Sequence, residues 1–120
     1  MNFCWVTLKV SSMENSLKFY HELLGLPINN RHSGNGNDIA MLGEESQSKI
    51  ELVANPNTAN INPSTSISVG ILVDSLEETL EFLNSKQIKT IRGPIIINSH
   101  TQFAFIHDPD GYEVQLVESK

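Results

Sequence analysis

Glu51 is the residue of this 120-residue chain best placed to do chemistry. It lies in Lys49-Ile50-Glu51-Leu52-Val53, where apolar and polar residues alternate. A strand with that period sends Glu51 to the face opposite Ile50 and Leu52. The same alternation sets Gln115 with Glu113 and Val117 against Val114 and Leu116. It sets Trp5 and Thr7 against Cys4, Val6 and Leu8, and Ser68 and Gly70 against Val69 and Ile71. A large aromatic among hydroxyls, an amide and a carboxylate suits the lining of a ligand concavity. An ordinary solvated sheet face accounts for the same alternation. In such a concavity the Glu51 carboxylate would be partly desolvated and suited to work as a base. Cys4 is expected to be a small core residue. His21, His32, His100 and His107 are scattered, and each is expected at the surface. No Ser-His-Asp, P-loop, Rossmann or Cys-His nucleophile pattern occurs.

Composition narrows the function classes. There are 8 basic and 14 acidic residues, a net charge of −6, and no Lys/Arg cluster. Nucleic-acid binding relies on such clusters, so it is disfavoured. Leu, Ile, Val and Phe make up 36 residues, too many for a disordered chain. The longest apolar runs are four residues, such as Phe103-Ala104-Phe105-Ile106. A membrane helix needs about 20, so no spanning segment is expected. The start, Met-Asn-Phe-Cys-Trp, has no basic or apolar leader region, and a soluble cytoplasmic protein is the expectation. One cysteine allows neither an internal disulfide nor a zinc cluster.

The elements that must position these residues occur twice. Val10 to Phe19 laid over Val73 to Phe82 matches at Val, Ser, Glu, Leu and Phe with a constant offset of 63. Each copy follows an alternating apolar stretch. Two modules of similar length result, 1–54 and 65–118, joined by an Asn- and Pro-rich linker at 55–64. Each opens with a strand and continues into a helix. Ser11 with Glu14 and Asp74 with Glu77 are the expected caps. The first helix is expected to bury Met13, Leu17, Tyr20 and Leu24, and the second Leu76, Leu80 and Leu83. Three strands follow in each module: 27–33, 38–43 and 49–54, then 88–93, 102–107 and 112–118. Gly34-Asn35-Gly36 and Asp108-Pro109-Asp110-Gly111 are the turns. The class is α+β with a βαβββ pattern in tandem.

Leu8-Lys9-Val10 running into Ser16-Leu17-Lys18-Phe19-Tyr20 and Leu24-Gly25-Leu26, with Asp108-Pro109-Asp110-Gly111-Tyr112 before Val114-Gln115-Leu116, resembles the vicinal oxygen chelate superfamily. That superfamily includes glyoxalase I, bleomycin-resistance proteins and extradiol dioxygenases. The resemblance covers nearly the whole chain as one domain, 1–120. It implies a curved mixed sheet forming a cup, with helices on the convex side and Phe103 and Phe105 on an apolar wall. It also implies homodimerisation. Metal-dependent members carry one His or Glu ligand on the first and last strand of each module. Those positions fall on Trp5, Glu51, Ser68 and Gln115, so three of the four are altered. Trp cannot ligate, and Ser and Gln are neutral and weak donors. The expectation is no metal and no cofactor, with a small organic molecule bound by Trp5, Thr7, Glu51, Ser68, Phe103, Phe105 and Gln115. Two alternatives stand beside it. One is a glyoxalase-like lyase or isomerase with a displaced metal site or Glu51 as a metal-free base. The other is a structural or regulatory module with a vestigial cup.

Overall fold

The computed structural model describes residues 1–120. They divide into two compact units, Met1–Asn62 and Pro63–Lys120. Unit 1 contains β1 (Trp5–Lys9), α1 (Met13–Leu17), β2 (Ile28–Gly34), β3 (Asn37–Leu42) and β4 (Lys49–Ala54). Unit 2 repeats the order with β5 (Ser68–Leu72), α2 (Leu76–Ser85), β6 (Arg92–Ile96), β7 (Thr101–His107) and β8 (Glu113–Ser119). Each unit has its own mixed four-stranded sheet, ordered β1-β4-β3-β2 and β5-β8-β7-β6. The first and last strands of each unit pair in parallel, and every other pair is antiparallel.

Strand alternation gives each sheet one buried and one open face. In unit 1 the buried face carries Leu8, Ala40, Leu42, Ile50 and Leu52, with Val10 just beyond β1. In unit 2 it carries Ile71, Ala104, Ile106, Val114 and Leu116. α1 packs on β4, and α2 on β7 and β8. Two bonds fasten the elements together. Thr58 Oγ1–H donates to the Val10 carbonyl at 2.8 Å, so part of the expected linker belongs to unit 1. Glu118 of β8 accepts from the Leu76 N–H at 2.9 Å, and so caps α2 from the sheet. That bond, with a second from Gln102, holds the Glu118 carboxyl below its ordinary range.

Three expectations about these elements need correcting. The caps are Ser12 and Ser75, whose hydroxyls accept from the Asn15 and Glu78 N–H groups at 3.2 Å. Both hold extended backbone, the conformation an N-cap needs, one residue later than expected. The first helix turns π-helical at Lys18–Leu23. The wider turn rotates the inward stripe, so Met13, Ser16, Phe19 and Tyr20 are buried, while Leu17 and Leu24 are only half-buried. Phe19 and Tyr20 then meet edge to face at 4.8 Å. β6 begins at Arg92 rather than 88, because the Ile88 N–H closes the end of the α2 region on the Leu83 carbonyl. A bulge at Gly93-Pro94 is tolerated because β6 is an edge strand. Gly93 has φ +92°, and a Cβ there would lie 2.8 Å from the Phe103 carbonyl oxygen, so no other residue fits.

The π turn makes a test. Phe19 and Phe82 are equivalent in the repeat, yet Phe19 is 3% exposed and Phe82 44%. Phe19→Ala should cost about 3–5 kcal/mol, and Phe82→Ala about 1 kcal/mol or less. Urea unfolding of both variants checks this. Equal losses would contradict the rotated stripe.

Candidate functional site

The parallel pairing builds the open face of each unit. In unit 1, β1 and β4 match Trp5 with Lys49, Thr7 with Glu51 and Lys9 with Val53. β3 extends the row from Glu51 to Met41, and β2 extends it to Asn30. Side chains directly opposite one another share a face, so Trp5, Thr7, Glu51, Met41 and Asn30 stand on one surface. The Thr7 hydroxyl donates to Glu51 Oε1 at 2.5 Å, which fixes one carboxylate oxygen and leaves the other open. Trp5 keeps 47% of its surface exposed.

A concavity of about 640 Å³ opens beside this row. Phe3, Trp5 and Met41 give it apolar wall, and Asn29, Asn30 and Lys49 give it polar groups. The polar side is pre-ordered. Asn29 Nδ2–H donates to Glu45 Oε2 at 2.5 Å. Lys49 Nζ donates to the Glu45 and Gln47 carbonyls at 3.0 and 2.8 Å, which turns its charge toward the loop before β4. Cys4 also lines the concavity and is exposed, contrary to the expected core position. It precedes β1, which begins at Trp5.

Unit 2 presents the equivalent rows. Ser68 matches Glu113 and His107, Gly70 matches Gln115 and Phe105, and Leu72 matches Val117 and Phe103. Phe105 continues to Arg92 on β6. Phe103 and Phe105 meet edge to face at 5.8 Å. The Arg92 guanidinium lies 4.1 Å from the Phe105 ring centroid and donates to Glu113 Oε1 at 2.5 Å. Glu113 is nearly buried, and Arg92 holds its carboxyl below the ordinary glutamate range.

Of the seven residues that the sequence reading assigned to one ligand site, Trp5, Thr7 and Glu51 share the open face of unit 1, and Ser68, Phe103, Phe105 and Gln115 lie on the rows of unit 2. That reading missed Arg92, Met41, Asn30 and Asn29. Arg92 depends on the β6 register, which the bulge hides. Met41 and Asn30 follow from extending the Glu51 row across two antiparallel strands, a step that needs the register of β2.

The donor set can be tested against a divalent transition metal at Trp5, Glu51, Ser68 and Gln115. It does not fit. Indole offers only an N–H donor, hydroxyl and amide are neutral, and Glu51 is the sole carboxylate. No group of three or more His, Cys, Asp or Glu residues is positioned to hold a metal ion elsewhere. No helix is long and apolar enough to cross a membrane.

The model for the Glyoxalase/Bleomycin resistance protein/Dioxygenase superfamily matches residues 3–116. A lactoylglutathione lyase of Haemophilus influenzae is 32% identical, over 100% of this chain and 94% of that protein. A probable chloroplastic lactoylglutathione lyase of Arabidopsis thaliana is 33% identical over 94% of this chain, which spans only 34% of that longer protein. The trypanothione-dependent glyoxalase I of Leishmania major superposes with a TM-score of 0.85 at 21% identity, covering 98% of this chain and 86% of that one.

The Arg92–Glu113 pair sets a pH dependence. Because Glu113 has a lowered pKa, its contribution is present above the ordinary glutamate range and is lost as pH falls through that range toward the lowered value. Glu113→Gln should flatten the fall in urea midpoint between pH 7 and acid pH. An unchanged acid profile would contradict the pairing.

Proposed function

We propose that this chain, which belongs to the Glyoxalase/Bleomycin resistance protein/Dioxygenase superfamily, has lost the superfamily's metal centre and binds a small organic molecule on its open sheet faces. The observation that carries this reading is Trp5. It occupies a metal-ligand position, cannot ligate, and stands half-exposed against a concavity of about 640 Å³. A ring in that setting offers a stacking wall, while the free Glu51 oxygen, Asn30 and the Thr7–Glu51 bond supply orientation. In unit 2, Phe103 and Phe105 are the corresponding apolar wall, and Ser68 and Gln115 the polar groups. The hemithioacetal of methylglyoxal and glutathione is not expected to be turned over, because its isomerisation in this superfamily relies on the metal. Homodimerisation belongs to the same reading. Phe3 at 72% and Leu72 at 71% exposure are apolar surface that a second copy would cover.

An enzymatic reading also has an observation behind it. The relatives are named lactoylglutathione lyases, and Glu51 retains a carboxylate held by Thr7 in a geometry open to substrate. A metal-free proton transfer through Glu51 would require that carboxylate. Glu51→Gln separates the readings, since it should abolish such turnover while an aromatic compound still stacks on Trp5 and changes its emission.

Trp5 is the only tryptophan, so its emission reports on its own surroundings. In a fragment panel of aromatic and cationic compounds, a binder should change that emission. Trp5→Ala should weaken it by about 1–2 kcal/mol. The stability cost should stay below the roughly 3–5 kcal/mol of a core tryptophan truncation, because one side of the ring is open. Severe unfolding with binding unchanged would contradict the reading.

A further inference from the structure

The middle of the unit 2 open face combines a backbone opening with an uncommitted amide. β5 carries no side chain at Gly70, which is exposed and has an ordinary strand neighbour in Gln115. A Cβ at Gly70 would sit 3.8 Å from Gln115 Oε1, so the amide borders the space that Gly70 leaves. Gln115 is half-buried, and its amide is not among the side chains committed to a protein partner. On its other side stands Phe105, its direct partner across β7 and β8. The Phe105 ring is held by Arg92 at 4.1 Å and by the Phe103 edge at 5.8 Å. A slot results, with an amide at its base and an immobilised aromatic wall.

The chemistry of that slot is specific. A side-chain amide presents a donor and an acceptor side by side, and a half-buried one gains most from a ligand that satisfies both. A carboxamide or lactam does so in one plane. A ketone satisfies only the donor, and a carboxylate offers acceptors alone. Charge points the same way. Arg92, the guanidinium on this face, is already neutralised by Glu113 at 2.5 Å, with His107 and Ser68 in the row beyond Glu113. A ligand carboxylate would have to compete with Glu113 for Arg92. An uncharged ligand meets no such competition.

We propose that Gln115, framed by Gly70 and Phe105, reads a carboxamide or lactam on a planar, uncharged ligand. This rests on the reading that the open faces bind small organic molecules, and it names the group that one of them recognises. Three probes of matched shape test it: 2-naphthamide, methyl 2-naphthyl ketone and 2-naphthoate. Titrations followed by NMR should show 2-naphthamide moving the Gln115 side-chain amide resonances. It should bind about tenfold or more tighter than the other two. Gln115→Leu, which removes donor and acceptor together, should erase that preference. Gly70→Ala, whose Cβ would stand in van der Waals contact with the amide oxygen at 3.8 Å and fill the space beside it, should weaken all three. Equal binding of amide and ketone, or an amide preference that survives Gln115→Leu, would overturn the inference while leaving small-molecule binding intact. Failure of all three probes to bind also overturns it, and the Trp5 emission screen then decides the broader reading separately.

Discussion

The structure depends on one pairing made twice: the first strand of each unit lies parallel to the last. Parallel neighbours need a long crossover, and in each unit that crossover is a helix followed by two more strands. The register of the pairing decides which side chains become neighbours. Thr7 meets Glu51 and Gly70 meets Gln115, although 44 and 45 residues separate them in the chain. A shift of one residue would send all of them into the core and bring Leu8 and Leu52 into solvent. The buried stripe of Leu8, Ile50 and Leu52, with its unit 2 counterpart, therefore fixes the site as well as the fold.

On that shared frame the two open faces have diverged. Unit 1 keeps a carboxylate, tied by Thr7 and bordered by Trp5, Met41 and Asn30. Unit 2 has an amide in the same register position, a glycine where unit 1 has Thr7, and a salt-bridged arginine stacked on Phe105. A metal centre would need several strong donors converging on one point. Unit 1 offers one carboxylate beside Trp5, and unit 2 one amide in a row with Phe105.

Much of this was legible in the sequence, for a physical reason. Period-two alternation marks the faces of strands directly, so Trp5, Glu51, Ser68 and Gln115 could be assigned to open faces residue by residue. The repeat offset of 63 carries the assignment from one unit to the other, and β1 and β5 obey it to the residue. The misplacements have local causes. Ser11 and Ser12 are equally good capping side chains, and only backbone conformation chooses between them. The π turn has no periodicity signal of its own, so the burial of Phe19 could not be separated from the exposure of Phe82. Arg92 was hidden by Gly93-Pro94, which looks like a strand breaker but is a bulge on an edge strand. Cys4 follows the alternation yet precedes the first paired residue of β1 and is exposed. Pairing partners on β2 and β6 depend on bulge positions, and sequence alone carries no record of those.

In the proposed reading, Trp5, Glu51, Ser68 and Gln115 hold no transition metal. Equilibrium dialysis of the purified chain against nickel and zinc, with bound metal measured after exhaustive washing, tests this most directly. The predicted result is far less than one metal per chain, unaffected by Glu51→Gln. Near-equimolar metal that Glu51→Gln removes would contradict it.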